Sequence, residues 1–387
     1  MLPATMISAT MISATMIPAV GTRRLAMLRW MIPLSVLVMA AAASARDARV
    51  CDFDGDRRGD LHSESGNEYF DRIRIWGGSE VLATTYLRRG VGLSVACGDV
   101  DGDGKADLVQ DLGSAIRINY MDGATVREQR YLPNGGGIYG IQFVSDLDAD
   151  GRAELLEYEF VPAPPAPGAN RIVKLDAAQG VESLHEIDNQ RQNWGLRAVA
   201  DLDGDGRKDL VWLHHPTRAV RIDLDPLGVG ESVFLSTGAS TLFGAADVDG
   251  DGRADLISDG PDFIRIDRMD GGTILETGFL AGQLEGLAPL GARRVGDLDG
   301  DGRADVIASP MQTLYRPLVR IDLMNGVTSF ARGVLATGET GGFELADVAD
   351  MTGDGKADLV FEGFGWIRID VMNGLNRTES AWVPDHW

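Results

Sequence analysis

Beyond residue 48 the chain alternates short apolar runs with clusters of aspartate and glycine, and no stretch keeps a helical spacing of apolar positions. Runs such as Leu108-Val109, Leu256-Ile257 and Val306-Ile307 are followed by an element in which β-branched or aliphatic residues flank a basic one. That element reads Ile73-Arg74-Ile75, Ile116-Arg117-Ile118, Val173-Lys174-Leu175, Val220-Arg221-Ile222, Ile264-Arg265-Ile266, Val319-Arg320-Ile321 and Ile367-Arg368-Ile369. Alternation with a period of two in such residues predicts a strand. Tight turns follow at Met121-Asp122-Gly123, Met269-Asp270-Gly271, Met324-Asn325-Gly326 and Met372-Asn373-Gly374, where glycine supplies the positive φ of a two-residue hairpin. A further strand and a Gly-containing loop lead back to the strand before the next acidic cluster, as in Phe243-Gly244-Ala245-Ala246-Asp247. The unit is four antiparallel strands.

The acidic clusters set the period. Seven nine-residue segments begin at Asp52, Asp99, Asp146, Asp201, Asp247, Asp297 and Asp350, with spacings of 47, 47, 55, 46, 50 and 53 residues. Repeats of roughly 40–50 residues made of four strands are propeller blades. The chain is therefore expected to be all-β, a seven-bladed β-propeller of four-stranded antiparallel blades forming one domain over residues 46–387. The last repeat ends on its fourth strand, and Ala48-Arg49-Val50 stands alone before the first acidic segment. This N-terminal strand is expected to sit innermost in the sheet completed by the C-terminal part and so to close the ring.

Carboxylates recur at positions 1, 3, 5 and 9 of each segment. The sets are Asp52, Asp54, Asp56, Asp60; Asp99, Asp101, Asp103, Asp107; Asp146, Asp148, Asp150, Glu154; and Asp201, Asp203, Asp205, Asp209. Then come Asp247, Asp249, Asp251, Asp255; Asp297, Asp299, Asp301, Asp305; and Asp350, Thr352, Asp354, Asp358. Two carboxylates ~4 Å apart repel by about 4 kcal/mol at an effective dielectric near 20, so gathering four calls for a counter-ion. Oxygen ligands in an irregular loop select calcium. The position-7 carbonyls of Lys105, Arg152, Arg207, Arg253, Arg303 and Lys356 are candidate further ligands. Up to seven calcium ions are expected, held most weakly at Asp52–Asp60, where Arg57 replaces glycine, and at Asp350–Asp358, where Thr352 replaces a carboxylate. An EF-hand would need Glu at position 12 between helices. That position is Gln110, Trp212, Ser258, Ala308 or Phe361, with an acid only at Glu157, and a strand begins at once.

The D-x-D-G-D-G-[RK]-A-D segments, the Phe243-Gly244-Ala245 remnant and the Met-Asn-Gly turns resemble the FG-GAP/VCBS repeat family of extracellular propellers, which includes the head of integrin α subunits. The resemblance runs from about residue 48 to the end. It implies a calcium-loaded seven-bladed propeller acting in adhesion or ligand binding. The family also hosts lectins and a few enzymes, so it specifies fold more than function.

Residues 1–45 stand apart, with no acidic residue and seven of the thirteen methionines. Arg23, Arg24 and Arg29 precede the apolar run Trp30–Ala43, and Ala43-Ser44-Ala45 fits a cleavage site, which together read as a Sec-type signal peptide. Translation starting at Met27 would give a compact version of it. The protein is expected to be exported to the extracellular space, cell surface or periplasm, without a membrane span and as a monomer. Lys+Arg 36 against Asp+Glu 58 gives −22, which argues against nucleic acid as a partner. The seven segments carry 27 acidic and nine basic residues, a net −18, so most of the imbalance sits in the loops.

Other residues weigh less. Cys51 and Cys97 lie near equivalent inner strands and could pair or remain thiols. Arg221, Arg265, Arg320 and Arg368 share a strand face with Asp223, Asp267, Asp322 and Asp370, the pattern of a structural ion-pair ladder. Val161–Asn170 reads as a Pro-rich surface loop, and Asn376-Arg377-Thr378 fits a glycosylation acceptor. His62, His185, His214, His215 and His386 match no catalytic or metal spacing. Tyr69, Phe70, Arg88, Arg89, Tyr139, Trp194, His214, Tyr315 and Trp366 are expected on the face opposite the acidic loops. No aromatic recurs at a constant position in the repeat. The reading is a calcium-binding module for an extracellular protein or glycan rather than an enzyme. The alternative is a polysaccharide lyase or hydrolase on the same frame.

Overall fold

The computed structural model describes residues 50–64, 70–88, 95–133, 139–159, 170–176, 180–187, 193–228, 230–237, 241–260, 262–281, 290–310, 318–336, 343–363 and 365–385. Residues 1–45, read above as a signal peptide, most of the Pro-rich loop, Tyr69, Arg89, Tyr315 and His386 lie outside them. Among the described residues are 28 strands and no helix, grouped in seven four-stranded antiparallel sheets whose strands are consecutive in sequence. These are the blades of a propeller: 50–88, 95–133, 139–187, 194–236, 241–281, 290–336 and 344–384. No helix among them is long and apolar enough to cross a membrane.

Each blade is packed on both faces, which explains the strand patterns. The second strand of blade 2, Asp107–Asp111, is buried at every position, while the outer strand of blade 6, Thr328–Ala336, alternates exposed and half-buried throughout. Apolar clusters bridge neighbours. Ile257, Ile264 and Ile266 of blade 5 pack against Val306 and Met324 of blade 6. Burying one such side chain fully contributes roughly 1.5–3 kcal/mol, so a blade stripped of its neighbours would lose much of what holds it.

Strand registers correct the sequence alignment in two blades. The recurrent basic residue lies opposite position 12 of the acidic segment: Gln110 faces Arg117, Trp212 faces Arg221, Ser258 faces Arg265, Ala308 faces Arg320 and Phe361 faces Arg368. By the same register the counterpart in blade 1 is Arg72, opposite Ser63, and in blade 3 Arg171, opposite Glu157, rather than Arg74 and Lys174. Both blades carry two basic residues among aliphatics, and periodicity cannot choose between them.

Ring closure also differs from expectation. Val50–Cys51 is the innermost strand of blade 1, registered with Leu61 and Asp60, and blade 7 already has its own innermost strand, Glu344–Ala349. Among the described residues no strand is exchanged. Blades 7 and 1 are joined instead by a bond from the Gly59 amide to the Asp350 carbonyl (2.8 Å), by Arg72 and Arg74 on Asp385, and by the apolar cluster of Leu61, Trp76, Met351 and Val383. Gly59 stands where five blades have alanine, because a Cβ there would lie 2.2 Å from Val50 Cγ1. Cys51 and Cys97 form a disulfide between the innermost strands of blades 1 and 2, with Cα atoms 6.5 Å apart.

Candidate metal centres

The acidic loops share one geometry. In blade 5, Asp247 accepts the amides of Gly250 (2.6 Å), Asp251 (3.3 Å) and Gly252 (2.8 Å); Asp249 accepts that of Asp251 (3.1 Å), and Asp251 that of Arg253 (2.9 Å). Glycine is needed at positions 4 and 6 because the backbone there has φ of +79° and +87°. The position-9 acid is at most 1% exposed in every blade. One of its oxygens accepts the position-2 amide in all seven. The other accepts an amide at the end of the third strand: Trp76, Met121, Met269, Met324 or Met372, and Asp225 in blade 4. This second bond accounts for the bulge at each of those Trp and Met residues, since their amides leave the ladder for the carboxylate.

The loops bring together three of the four expected carboxylates, leaving out position 5 in blades 1 to 4 and position 9 in blade 5. Asp52, Asp54 and Asp60 each offer an oxygen within 4.8 Å of the others, as do Asp99, Asp101 and Asp107; Asp146, Asp148 and Glu154; Asp201, Asp203 and Asp209; and Asp247, Asp249 and Asp251. Burial, reinforced by neighbouring carboxylates and opposed by the two amides, pushes Asp60, Asp107, Asp255 and Asp305 up to about 7 and Asp209 and Asp358 up to about 6, and burial pushes Glu154 up to about 7 against the Leu147 amide and the Lys174 ammonium. Burial also raises Asp54, Asp249 and Asp299. A set of hard oxygens that resists ionisation fits a divalent cation, whose charge would supply what the protein withholds.

Individual loops depart from this pattern. Arg57 has φ +70° in blade 1, so the strain expected there is present. Ala149 holds φ +60° in blade 3, where Asp146 Oδ1 and Asp148 Oδ1 are buried without a hydrogen-bond partner. There the Lys174 ammonium binds Asp148 and Asp150 (2.8 Å for the second) and lies 3.9 Å from Glu154. Lys174 is thus a tethered cation at the site, a role its place in the sequence pattern concealed. In blade 2 the more exposed Arg127 binds Asp101 and Asp103 (3.0 Å for the second). In blade 7 the Thr352 hydroxyl turns to Asp350 Oδ1 at 3.5 Å.

Position-7 side chains are struts. Lys105 pairs with Asp122, Arg253 with Asp270 (3.4 Å) and Lys356 with Asn373 (2.8 Å), tying each loop to the outer hairpin of its own blade. Their stems cover the position-4 glycine of the preceding loop, as Lys105 covers Gly55 and Arg253 covers Gly204. Position 5 is shared with the same residues: Asp251 with Arg253 (2.6 Å), Asp301 with Arg303 (2.9 Å) and Asp205 with Arg207. Arg152 covers Gly102, and the Asp354 carboxylate accepts the Lys356 amide. Position 8 links the loops into a ring. The amides of Gly59, Ala106, Ala153, Ala254, Ala304 and Ala357 each donate to the position-1 carbonyl of the preceding loop, at 2.6–2.8 Å, and Lys208 donates to Leu147 at 2.9 Å.

A second set of ties lies toward the outer rim. Arg221, Arg265, Arg320 and Arg368 pair with Asp223, Asp267, Asp322 and Asp370, which makes the expected ladder real. Arg117, Arg265 and Arg320 also donate to the carbonyls of Arg88, Thr237 and Ala281, at the end of the preceding blade's outer strand. The register then reveals a recurring aromatic that sequence alignment missed. Tyr86, Tyr131, Phe234, Phe279 and Trp382 each lie directly opposite the recurrent arginine on the outer strand, with Glu186 and Val334 in blades 3 and 6. All five aromatics are at least 50% exposed. Insertions of variable length between strands hid this constancy. In blade 7 the Arg368 guanidinium lies 4.5 Å from the Phe361 ring centre and 5.6 Å from that of Trp382. Of the residues expected on the face opposite the loops, Trp194 stacks near His214 (4.9 Å) and Phe234 (5.9 Å), and Trp366 is 37% exposed. His62 is buried against Asp71 at 3.1 Å.

No protein-family profile and no curated protein matches the sequence. Solved structures do. A putative 6-phosphogluconolactonase from Bacteroides uniformis is similar at 14% identity and TM-score 0.51, over 87% of this chain and 96% of that one. The Cps50 (Swd1) β-propeller domain from Myceliophteria thermophila is similar at 12% identity and TM-score 0.51, over 82% and 94%. A Photorhabdus luminescens Tc holotoxin chain aligns at 16% identity and TM-score 0.44, and this chain spans 19% of its length.

Proposed function

We propose that the chain is an exported propeller of the FG-GAP/VCBS kind, stabilised by calcium in its acidic loops, that binds glycans along its outer rim. Similarity to propellers at such low identity speaks for the fold alone, so the proposal stands on the side chains. The observation that carries it is the exposed aromatic set opposite the recurrent arginine in five of the seven blades, an arginine that is paired with an acid in four of them. Aromatic faces stack on the C–H faces of sugars, and guanidinium and carboxylate groups donate to and accept from hydroxyls. Repetition around a ring makes weak single sites act together. Calcium belongs to the scaffold in this reading, since the loop backbones are tied into one another around the ring.

A glycan array probed with the calcium-loaded protein should give binders. Replacing Tyr131 and Phe279 together by alanine should weaken binding to immobilised glycan by roughly a hundredfold or more through lost multivalency, while leaving the melting temperature in place. An array blank with and without calcium, or a double variant that binds as the parent does, would remove the reading.

A further inference from the structure

A hollow lies in the cleft between blades 3 and 4. The third and outer strands of blade 4, Ala219–Asp223 and Ser232–Ser236, have five residues each, against eight and nine in blade 5. In place of a two-residue turn, a longer connection folds back on itself, held by the Leu224 amide on the Glu231 carbonyl (3.0 Å) and by Arg207 on Asp225 (2.6 Å). The shortened strands leave part of the flank facing blade 3's outer strand, Gly180–Ile187, uncovered, and a cavity of about 270 Å³ lies there.

Arg221 and Asp223 line it, each 7% exposed and joined Nε to Oδ1 at 2.7 Å. Asp223 is fixed further by the Trp212 indole (2.8 Å) and the Ser232 hydroxyl (2.6 Å). Ile187 and Pro226 add apolar wall, and His185 and Glu231 add polar groups.

We propose that this cleft is a subsite for one neutral sugar ring bearing adjacent hydroxyls, an inference that rests on the glycan reading above. A guanidinium only donates and an ionised carboxylate only accepts, while a hydroxyl does both. Asp223 already accepts from Arg221, Ser232 and Trp212, which leaves one acceptor site on Oδ2, so the pair matches two neighbouring hydroxyls of which one donates to Asp223 and the other accepts from Arg221. Both groups are ordered before the ligand arrives, so binding does not have to order them. The cavity is at or below the small end of ligand sites, about 300–1,000 Å³, which suits a single ring. Asp223, Asp225 and Glu231 outnumber Arg221 and Arg207, so a carboxylated or sulfated ring is repelled.

The test is saturation-transfer NMR on the calcium-loaded full chain with glucose, galactose, mannose and glucuronate as separate probes. At least one hexose should give a signal and glucuronate none. His185→Trp, placed on an exposed strand position, fills the cleft and should cut the hexose signal roughly tenfold, about 1.4 kcal/mol. Glu231→Tyr does the same from the opposite wall should the first variant fold poorly. The part of the hexose signal that His185→Trp removes should persist in the Tyr131/Phe279 double variant, whose changes lie in blades 2 and 5. A hexose signal indifferent to both cleft fillings, a preference for glucuronate, or no hexose signal at all overturns the proposal. Array binding that survives His185→Trp but is lost in the double rim variant would discard the cleft and retain the rim reading.

Discussion

The acidic face and the outer rim are both sevenfold, yet they repeat in different ways. On the acidic face each blade makes nearly the same contacts: position-8 amide to preceding loop, position-9 carboxylate to two amides of its own blade. At the rim the same register carries Tyr, Tyr, Glu, Phe, Phe, Val and Trp. Backbone donors and acceptors are common to all residues, so a contact made by backbone tolerates little geometric change and survives much substitution. Side-chain contacts at an exposed strand are free to diverge. The first region is built to stay closed, and the second to differ from blade to blade.

Stripping cations should separate the two most. With calcium about tenfold above its Kd, each occupied site stabilises by ~1.4 kcal/mol, and several together should shift the melting temperature by roughly 10–20 °C. Calorimetry in excess chelator checks this, and an unchanged transition would show that the amide ring suffices without ions.

The chelated protein should also respond to pH in an unusual direction. Asp107 and Asp255 titrate near 7 in the folded chain, far above an ordinary carboxyl, so between about pH 4 and pH 7 the folded state holds more protons than the unfolded one. The stability from these groups is full below the unfolded value and is lost as pH rises through the folded one. Melting temperature in chelator should therefore fall from pH 5 to pH 7, and calcium should reverse that trend by replacing the proton.

At the rim, Asp385→Asn should leave Arg72 and Arg74 buried without their shared carboxylate. Breaking a buried pair costs about 3–5 kcal/mol. The loss should appear as earlier opening of the blade 7 to blade 1 seam in hydrogen exchange, with calcium binding intact. The smallest change expected is a gain. Arg57→Gly relieves a left-handed backbone worth about 1–2 kcal/mol, less roughly 0.5–1 for the added freedom of the unfolded chain. Denaturant titration should find it neutral to slightly stabilising, and tighter in calcium at the first loop.

Much of this was legible in the chain. Seven spaced acidic segments determined seven blades because every loop must present the same oxygens, and the glycine missing at Arg57 marked the first loop as the one to depart. The carboxylates that the loops gather were readable for the same reason. What the sequence left open needed partners distant along the chain. Arg72 and Arg171 could be told from Arg74 and Lys174 only by strand register, and the recurring aromatic emerged only once that register removed the variable insertions. Lys174 as a cation within its own loop, and ring closure through Gly59 and Asp385 rather than an exchanged strand, likewise depend on which surfaces meet when the ring shuts. Local periodicity determines what each segment becomes. Only the closed ring decides which of several similar residues faces which neighbour, because that choice is made by packing across blades and leaves no mark on the period.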